Sequence, residues 1–205
     1  ATFFDRVGKK LSAIDVSTFA LSNAYCATVL PEEREKSVVV FNIGEKKMDA
    51  VYLLNGNFHS YRTMTSGALD SVISMLTKHL NIDAEKCHTI FESGDTSCVD
   101  GFSEAEVEEA LKISYEEIVS AVEFGIRFFS TQDNAENPEK IFLGGGGACL
   151  PNLASYLTER LGLSVETVNP FRNVTCDSAV VGESGMSLSL SNIYAPALGL
   201  AMRKF

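Results

Sequence analysis

The stretch SVVVFNIGEKKMDAVYLLNGNFHSYRTM, residues 37–64, decides the fold class. Residues 37–43 form an almost continuous apolar run, the pattern of a strand buried on both faces. Residues 47–54 read as a second strand. Asn55-Gly56 then supplies two positions that tolerate positive φ, which a two-residue hairpin turn requires. Residues 57–64 read as a third strand, and the three together predict an antiparallel meander.

Downstream, Leu69, Val72, Ile73, Leu76 and Leu80 recur at helical spacing. Residues 81–102 are polar and turn-rich, with a break at Ser93-Gly94-Asp95. Ser103 with Glu106 three residues on forms a capping box and opens a long helix. Its inner face carries Leu111, Tyr115, Ile118, Val122, Ile126 and Phe129, and Gly125 is the expected site of a break or kink. Residues 133–139 read as a polar loop ending in Pro138. A short buried strand, 140–143, runs into Gly144-Gly145-Gly146-Gly147. A helix follows, with Pro151 in its first turn and Leu150, Leu153, Leu157 and Leu161 on one face. Residues 164–168 read as another strand, 169–192 as loop-rich, and the last helix is expected from Ile193.

Upstream, residues 31–36 read as a charged loop, and 11–25 as a strand end followed by a helix. Nothing earlier in the sequence gives that helix a partner, so the chain is expected to be a fragment. The order βββα, a helical insertion, then βαβα is the ribonuclease H-like pattern. It predicts an α/β fold, a mixed sheet flanked by helices. The expected division is 1–36 as the end of a preceding domain and linker, 37–80 with 103–205 as the domain, and 81–102 as a small inserted subdomain.

Composition narrows the function classes. Of 205 residues, 45% are hydrophobic and 21% charged, ordinary for a globular domain. The net charge of −10 repels phosphate backbones and anionic lipid, which sets nucleic acid aside as a partner. The richest apolar stretch, 193–202, is shorter than the roughly 20 residues that span a bilayer and contains Pro196 and Gly199. Residues 1–10 lack the apolar core of a signal peptide. Five cysteines, Cys26, Cys87, Cys98, Cys149 and Cys176, have no CxxC spacing and read as reduced thiols of a cytoplasmic protein.

Two glycine positions suggest chemistry. Gly44 ends a buried strand within Phe41-Asn42-Ile43-Gly44, where backbone N–H groups could approach a phosphate. Gly144, Gly145, Gly146 and Gly147 join a strand to a helix, whose N-terminus favours an anion. In the tail, Ala195, Ala197, Gly199 and Ala201 put small residues four apart, suited to close helix packing. His59, His79 and His88 have no Ser, Cys or carboxylate constellation, and Asp49 reads as a surface carboxylate. No catalytic or metal-ligating set emerges.

Taken in order, IDVSTFALSNAY, VVVFNIGEKKMDAVYLLNG, VEFGIRFF, IFLGGGGACLPNLASYLTERLG, LSVETVNPF and APALGLAMR resemble successive segments of the type IV pilus assembly protein PilM family. The resemblance covers nearly all 205 residues. It implies an actin-like ATP-binding protein on the cytoplasmic face of the inner membrane. There it would recruit the tail of a PilN-like membrane protein, with self-association a further expectation and no insertion into the membrane. It implies Asn42 and Gly44 at the second phosphate loop and Gly144 to Gly147 at the adenosine loop. ATP with magnesium is the implied ligand of the full-length protein, with none held by this chain alone and at most weak ATPase activity. Three departures stand out. Asn42 replaces the usual Asp, and an amide holds hydrated magnesium poorly. Glu45, Lys46, Lys47 and Met48 replace the usual small hydroxyl residues. The first phosphate loop belongs to a preceding half. Rival readings are a nucleotide-free scaffold like the type II secretion L protein and an actin-fold kinase.

Overall fold

The computed structural model of the protein describes residues 2–10, 14–177, 179 and 187–203. The elements run α1 (Thr2–Arg6), α2 (Ser17–Thr28), α3 (Pro31–Arg34), β1 (Ser37–Ile43), β2 (Met48–Leu54) and β3 (Asn57–Met64). There follow α4 (Leu69–Leu80), α5 (Ala84–Ser93), α6 (Glu104–Ser130), β4 (Lys140–Gly144), α7 (Leu153–Leu161), β5 (Ser164–Thr167) and α8 (Leu188–Ala201). The meander forms as the sequence predicts: β1 pairs antiparallel with β2 and β2 with β3. Asn55 and Gly56 take φ of 51° and 70°, the left-handed pair that the tight turn needs.

The strands form one five-stranded sheet in the order β3-β2-β1-β4-β5. β1 lies parallel to β4 and β4 to β5, so the sheet is mixed. Strand alternation sends Val39, Phe41, Ile43, Met48, Ala50 and Tyr52 to one face, packed under α4 and α6. Val38, Val40, Val51 and Leu53 face the other way, under Leu21 and Tyr25 of α2 and Ala195 of α8. Both faces are dry, which is why β1 and β2 read as unbroken apolar runs rather than alternating ones.

Several segments depart from the sequence expectation. Residues 31–36 hold the short helix α3, with Pro31 pre-set for its first turn. The turn-rich stretch 81–102 contains α5, capped by Asp83 and ended by Gly94 in the left-handed region. Its Cys87 and Ile90 join the core of the α4–α6 face. The helix expected within 11–25 is α2, while residues 11–13 lie outside the described residues. Most of the loop expected at 169–192 is described, but 178 and 180–186 are not; α8 starts at Leu188, capped by Ser187, five residues before Ile193. Gly125 does not break α6, which is continuous to Ser130. A Cβ there would meet the Phe41 ring at 2.9 Å, so the glycine serves close contact between helix and sheet. The capping box is present: Ser103 N–H donates to Glu106 Oε2 at 2.8 Å, and Glu106 N–H to Ser103 Oγ at 3.4 Å.

Candidate functional site

β1 and β4 are parallel neighbours, so the loops leaving their C-terminal ends share one edge of the sheet. Asn42 stands opposite Gly144 in register. The four-glycine loop therefore lies against the hairpin that carries Gly44, as expected for a ligand site outside strand ends. What each glycine does there differs. Gly145 has φ +81°, and a Cβ on it would sit 2.5 Å from Asn42 Oδ1 and 2.7 Å from the Ile43 carbonyl oxygen. A Cβ on Gly147 would meet Ile43 Cγ2 at 2.3 Å, and one on Gly144 would press Leu21 Cδ1 at 3.3 Å. These three are glycine because the chain packs against itself. Gly146 is exposed, and its Cβ would find only Ile193 Cγ1 at 4.0 Å. No contact among the described residues accounts for its lack of a side chain.

The loop is also not joined directly to a helix N-terminus. Gly146–Cys149 form a single 3-10 turn, and Asn152, in the left-handed region, precedes α7. Anion binding by the α7 dipole is thereby displaced from the glycines. The hairpin side is partly self-satisfied too. Gly44 N–H donates to the Lys47 carbonyl at 3.0 Å, and the Gly44 carbonyl accepts from Leu69 N–H at 3.0 Å.

Asp49 overturns its reading as a surface carboxylate: it is 1% exposed. It sits in β2 opposite both Asn42 and Thr63, so the three form one polar rung on the face that α2 and α8 cover. Thr63 Oγ1 donates to Asp49 Oδ1 at 2.6 Å, and Lys47 Nζ lies 3.1 Å from Oδ2. A buried polar group needs such hydrogen-bond and ion-pair partners to offset the water it loses. Lys47 is thus tied to Asp49 in place, and Glu45 and Lys46 are exposed at the hairpin tip. Asn192 of α8, fully buried, reaches toward Gly144 and donates to Cys149 Sγ at 3.9 Å.

Beyond the 3-10 turn, a cleft of about 250 Å³ opens between α6 and the start of α7, lined by Glu108, Leu111, Lys112, Tyr115, Pro151 and Asn152 among others. Tyr115 OH donates to the Pro151 carbonyl at 2.9 Å and fixes the α6–α7 distance. The sequence reading missed Glu108 and Lys112, although positions 108, 111, 112 and 115 share one face of α6 at helical spacing. Those residues fit the base and sugar side of a nucleotide: an apolar wall beside two polar heads. The phosphate side fits magnesium poorly, because an amide stands at Asn42 and Asp49 already holds Lys47.

One tie across the cleft gives a pH prediction. Glu116 accepts from Tyr156 OH and pairs with Arg160, and these partners, the tyrosine first, hold its carboxyl below the ordinary 4.5. A depressed folded value means the tie is complete above 4.5 and is lost as pH falls through that lower value. Glu116→Gln is expected to flatten this part of the stability–pH curve, followed by thermal melts from pH 6 to 3, and to leave ligand affinity at pH 7 unchanged. A parallel curve for the variant and its parent would refute the role.

The chain matches the family described as type IV pilus assembly protein PilM over residues 2–205. It is similar to a chain of a solved PilM-PilN type IV pilus biogenesis complex, with 26% identity and a TM-score of 0.74, covering 95% of this chain and 53% of that one. It shares its fold with ethanolamine utilization protein EutJ from Carboxydothermus hydrogenoformans, at 15% identity and TM-score 0.64, covering 97% and 57%. The same holds for MreB5 of Spiroplasma citri bound to ADP, at 13% identity and TM-score 0.63, covering 98% and 62%. The comparison with curated proteins finds no match. The chain therefore spans about half the length of the first structures it matches, and its mixed sheet is that of the actin-like fold.

Proposed function

The chain belongs to the type IV pilus assembly protein PilM family, and from that premise we propose that it is part of a cytoplasmic, actin-like scaffold of a pilus assembly platform. The scaffold is held at the inner membrane by the tail of a PilN-like protein. One observation carries the reading: 95% of the chain superposes on a chain of a PilM-PilN complex. No helix of the described residues is long and apolar enough to cross a membrane. Titrating the full-length protein with the cytoplasmic tail peptide of its PilN-like partner tests the proposal. Saturable binding is expected, and none at millimolar peptide would overturn it. The site assignment stays part of the proposal. Gly146 and the cleft beyond it would take the adenosine, Gly44 and Asn42 would face the phosphates, and Gly144, Gly145 and Gly147 would shape the loop. Residues 81–102 are proposed as an insertion in the topology that packs into the core of the main domain.

A second reading, a scaffold that uses no nucleotide, is favoured by the Lys47–Asp49 pair and by the spent N–H of Gly44. Two substitutions in the full-length protein separate the readings. Asn42→Asp restores a carboxylate that can orient hydrated magnesium, so Mg-ATP should bind about tenfold tighter, the scale of one charge-assisted contact. Without magnesium the same carboxylate repels phosphate and affinity should fall. Glu45→Ser removes a repelling charge and should help with or without metal. Calorimetric titration of both variants decides: if neither improves nor creates binding, the nucleotide-free reading stands. Lys47 could turn toward phosphate only by leaving Asp49.

A further inference from the structure

β3 is an edge strand. Among the described residues it pairs only with β2, so alternate residues of its outer side leave N–H and C=O groups unused by the ladder. One protective device is present at its start. The register shifts between Tyr52 and Leu53, leaving His59 with no opposite residue. His59 Nε2 lies 3.0 Å from the Asp133 carbonyl, which closes that end. Beyond the bulge, residues 60–64 pair regularly with β2 and contain no proline, lysine or carboxylate. Nothing blunts this stretch in the usual way.

Both faces of the strand carry aromatic side chains. On the α2 face, Phe58 and Tyr61 are 45% and 47% exposed and meet Phe19 edge to face. On the other face, the Arg62 guanidinium lies 4.6 Å from the Phe124 ring and 4.4 Å from the Phe128 ring, one turn apart on α6. The rings stabilise the cation but leave its hydrogen-bonding fork idle. Arg62 Nε is enclosed without a hydrogen-bond partner. No carboxylate of the described residues pairs with Arg62, although the chain carries 27 acidic residues against 17 basic ones.

We propose that the outer edge of β3 over residues 60–64 is a docking strand for an extended acidic segment of a partner protein, with Arg62 taking its carboxylate. Main-chain hydrogen bonds to the edge would give the affinity. The rings on either face would receive alternate side chains, and the guanidinium would set the charge preference. A second copy of the chain fits less well. Two edges paired antiparallel about Arg62 would set guanidinium against guanidinium, between bodies of net charge −10 each.

The test uses the full-length protein, labelled for amide NMR, and three capped hexapeptides of valine and threonine. They carry glutamate, glutamine or lysine at one central position. The glutamate peptide should slow amide exchange at residues 60–64 and bind at least about fivefold tighter than the glutamine one, about 1 kcal/mol. The lysine peptide should not bind. Arg62→Gln should level the first two, and Arg62→Glu should favour lysine. Arg62→Lys, which keeps the charge over the rings, checks that the fold survives and should retain the glutamate preference. Equal affinity for all three peptides, or protection away from β3, would overturn the proposal. So would a dimer by sedimentation that Arg62→Glu abolishes.

Discussion

Gly199→Ala is expected to destabilise the protein by about 3 kcal/mol or more, the upper end of overpacking costs. α8 crosses α2 where Gly199 faces Ala20, and a Cβ on Gly199 would lie 1.7 Å from the Ala20 carbonyl oxygen and 2.5 Å from its carbon. Both are backbone atoms inside a helix, so no side chain can rotate away, and the helices would have to part. For a chain of this size the loss corresponds to a melting point lower by roughly 6–12 °C. Gly162→Ala is the control. Its Cβ would meet nothing within 4 Å, but its φ of +66° disfavours a side chain, so it should cost about 1–2 kcal/mol. Circular dichroism melts of both variants measure the difference. The result also bears on domain organisation. If α2 belonged to a preceding domain and only leaned on the sheet, Gly199→Ala would free α2 and leave the main transition within about 2 °C of the parent. That outcome would sink the expectation. A large drop means that α2 and α8 together close the second face of the sheet.

Much of the fold was legible because the signals were local. Asn55-Gly56 can hardly be anything but a tight turn, and Ser103 with Glu106 marks its helix start by chemistry confined to four residues. The errors have local causes as well. α5 exposes most of its surface and buries only Cys87 and Ile90, too few apolar positions to show a helical period. α3 is a single turn of charged residues, made helical by Pro31 at its start. Asp49 was misread because its burial depends on strands either side, through Asn42 and Thr63, neither of which spacing alone brings to it. The glycine run shows the limit most clearly. Four identical residues have different causes, and three of them are set by Asn42, Ile43 and Leu21, about a hundred residues or more away in sequence. Gly125 is similar: it looks like a helix breaker until Phe41 is placed against it.

That difference among the glycines sharpens the test of the ligand site. Gly145→Val would abolish any nucleotide binding whether or not this glycine touches the ligand, because a side chain at φ +81° would collide with Asn42 and Ile43 and disrupt the β1–β4 edge. Loss of binding there says nothing about the ligand. Gly146→Val is the informative change. Gly146 is exposed, has no positive φ, and has open space around its Cβ position. A surface substitution of this kind should move stability by no more than about 0.5 kcal/mol. A branched side chain would nevertheless stand between the glycine backbone and a ligand approaching the loop. In the full-length protein, adenine-nucleotide affinity should fall at least about tenfold, equivalent to about 1.4 kcal/mol. Gly146→Ala should give a smaller loss in the same direction, since one methyl group intrudes less than two on a branch. Binding is read by calorimetry and folding by thermal melt on the same samples. If Gly146→Val melts like its parent and binds nucleotide as tightly, the loop does not approach a ligand. The run of four glycines would then owe its first, second and fourth members to packing and its third to no contact among the described residues.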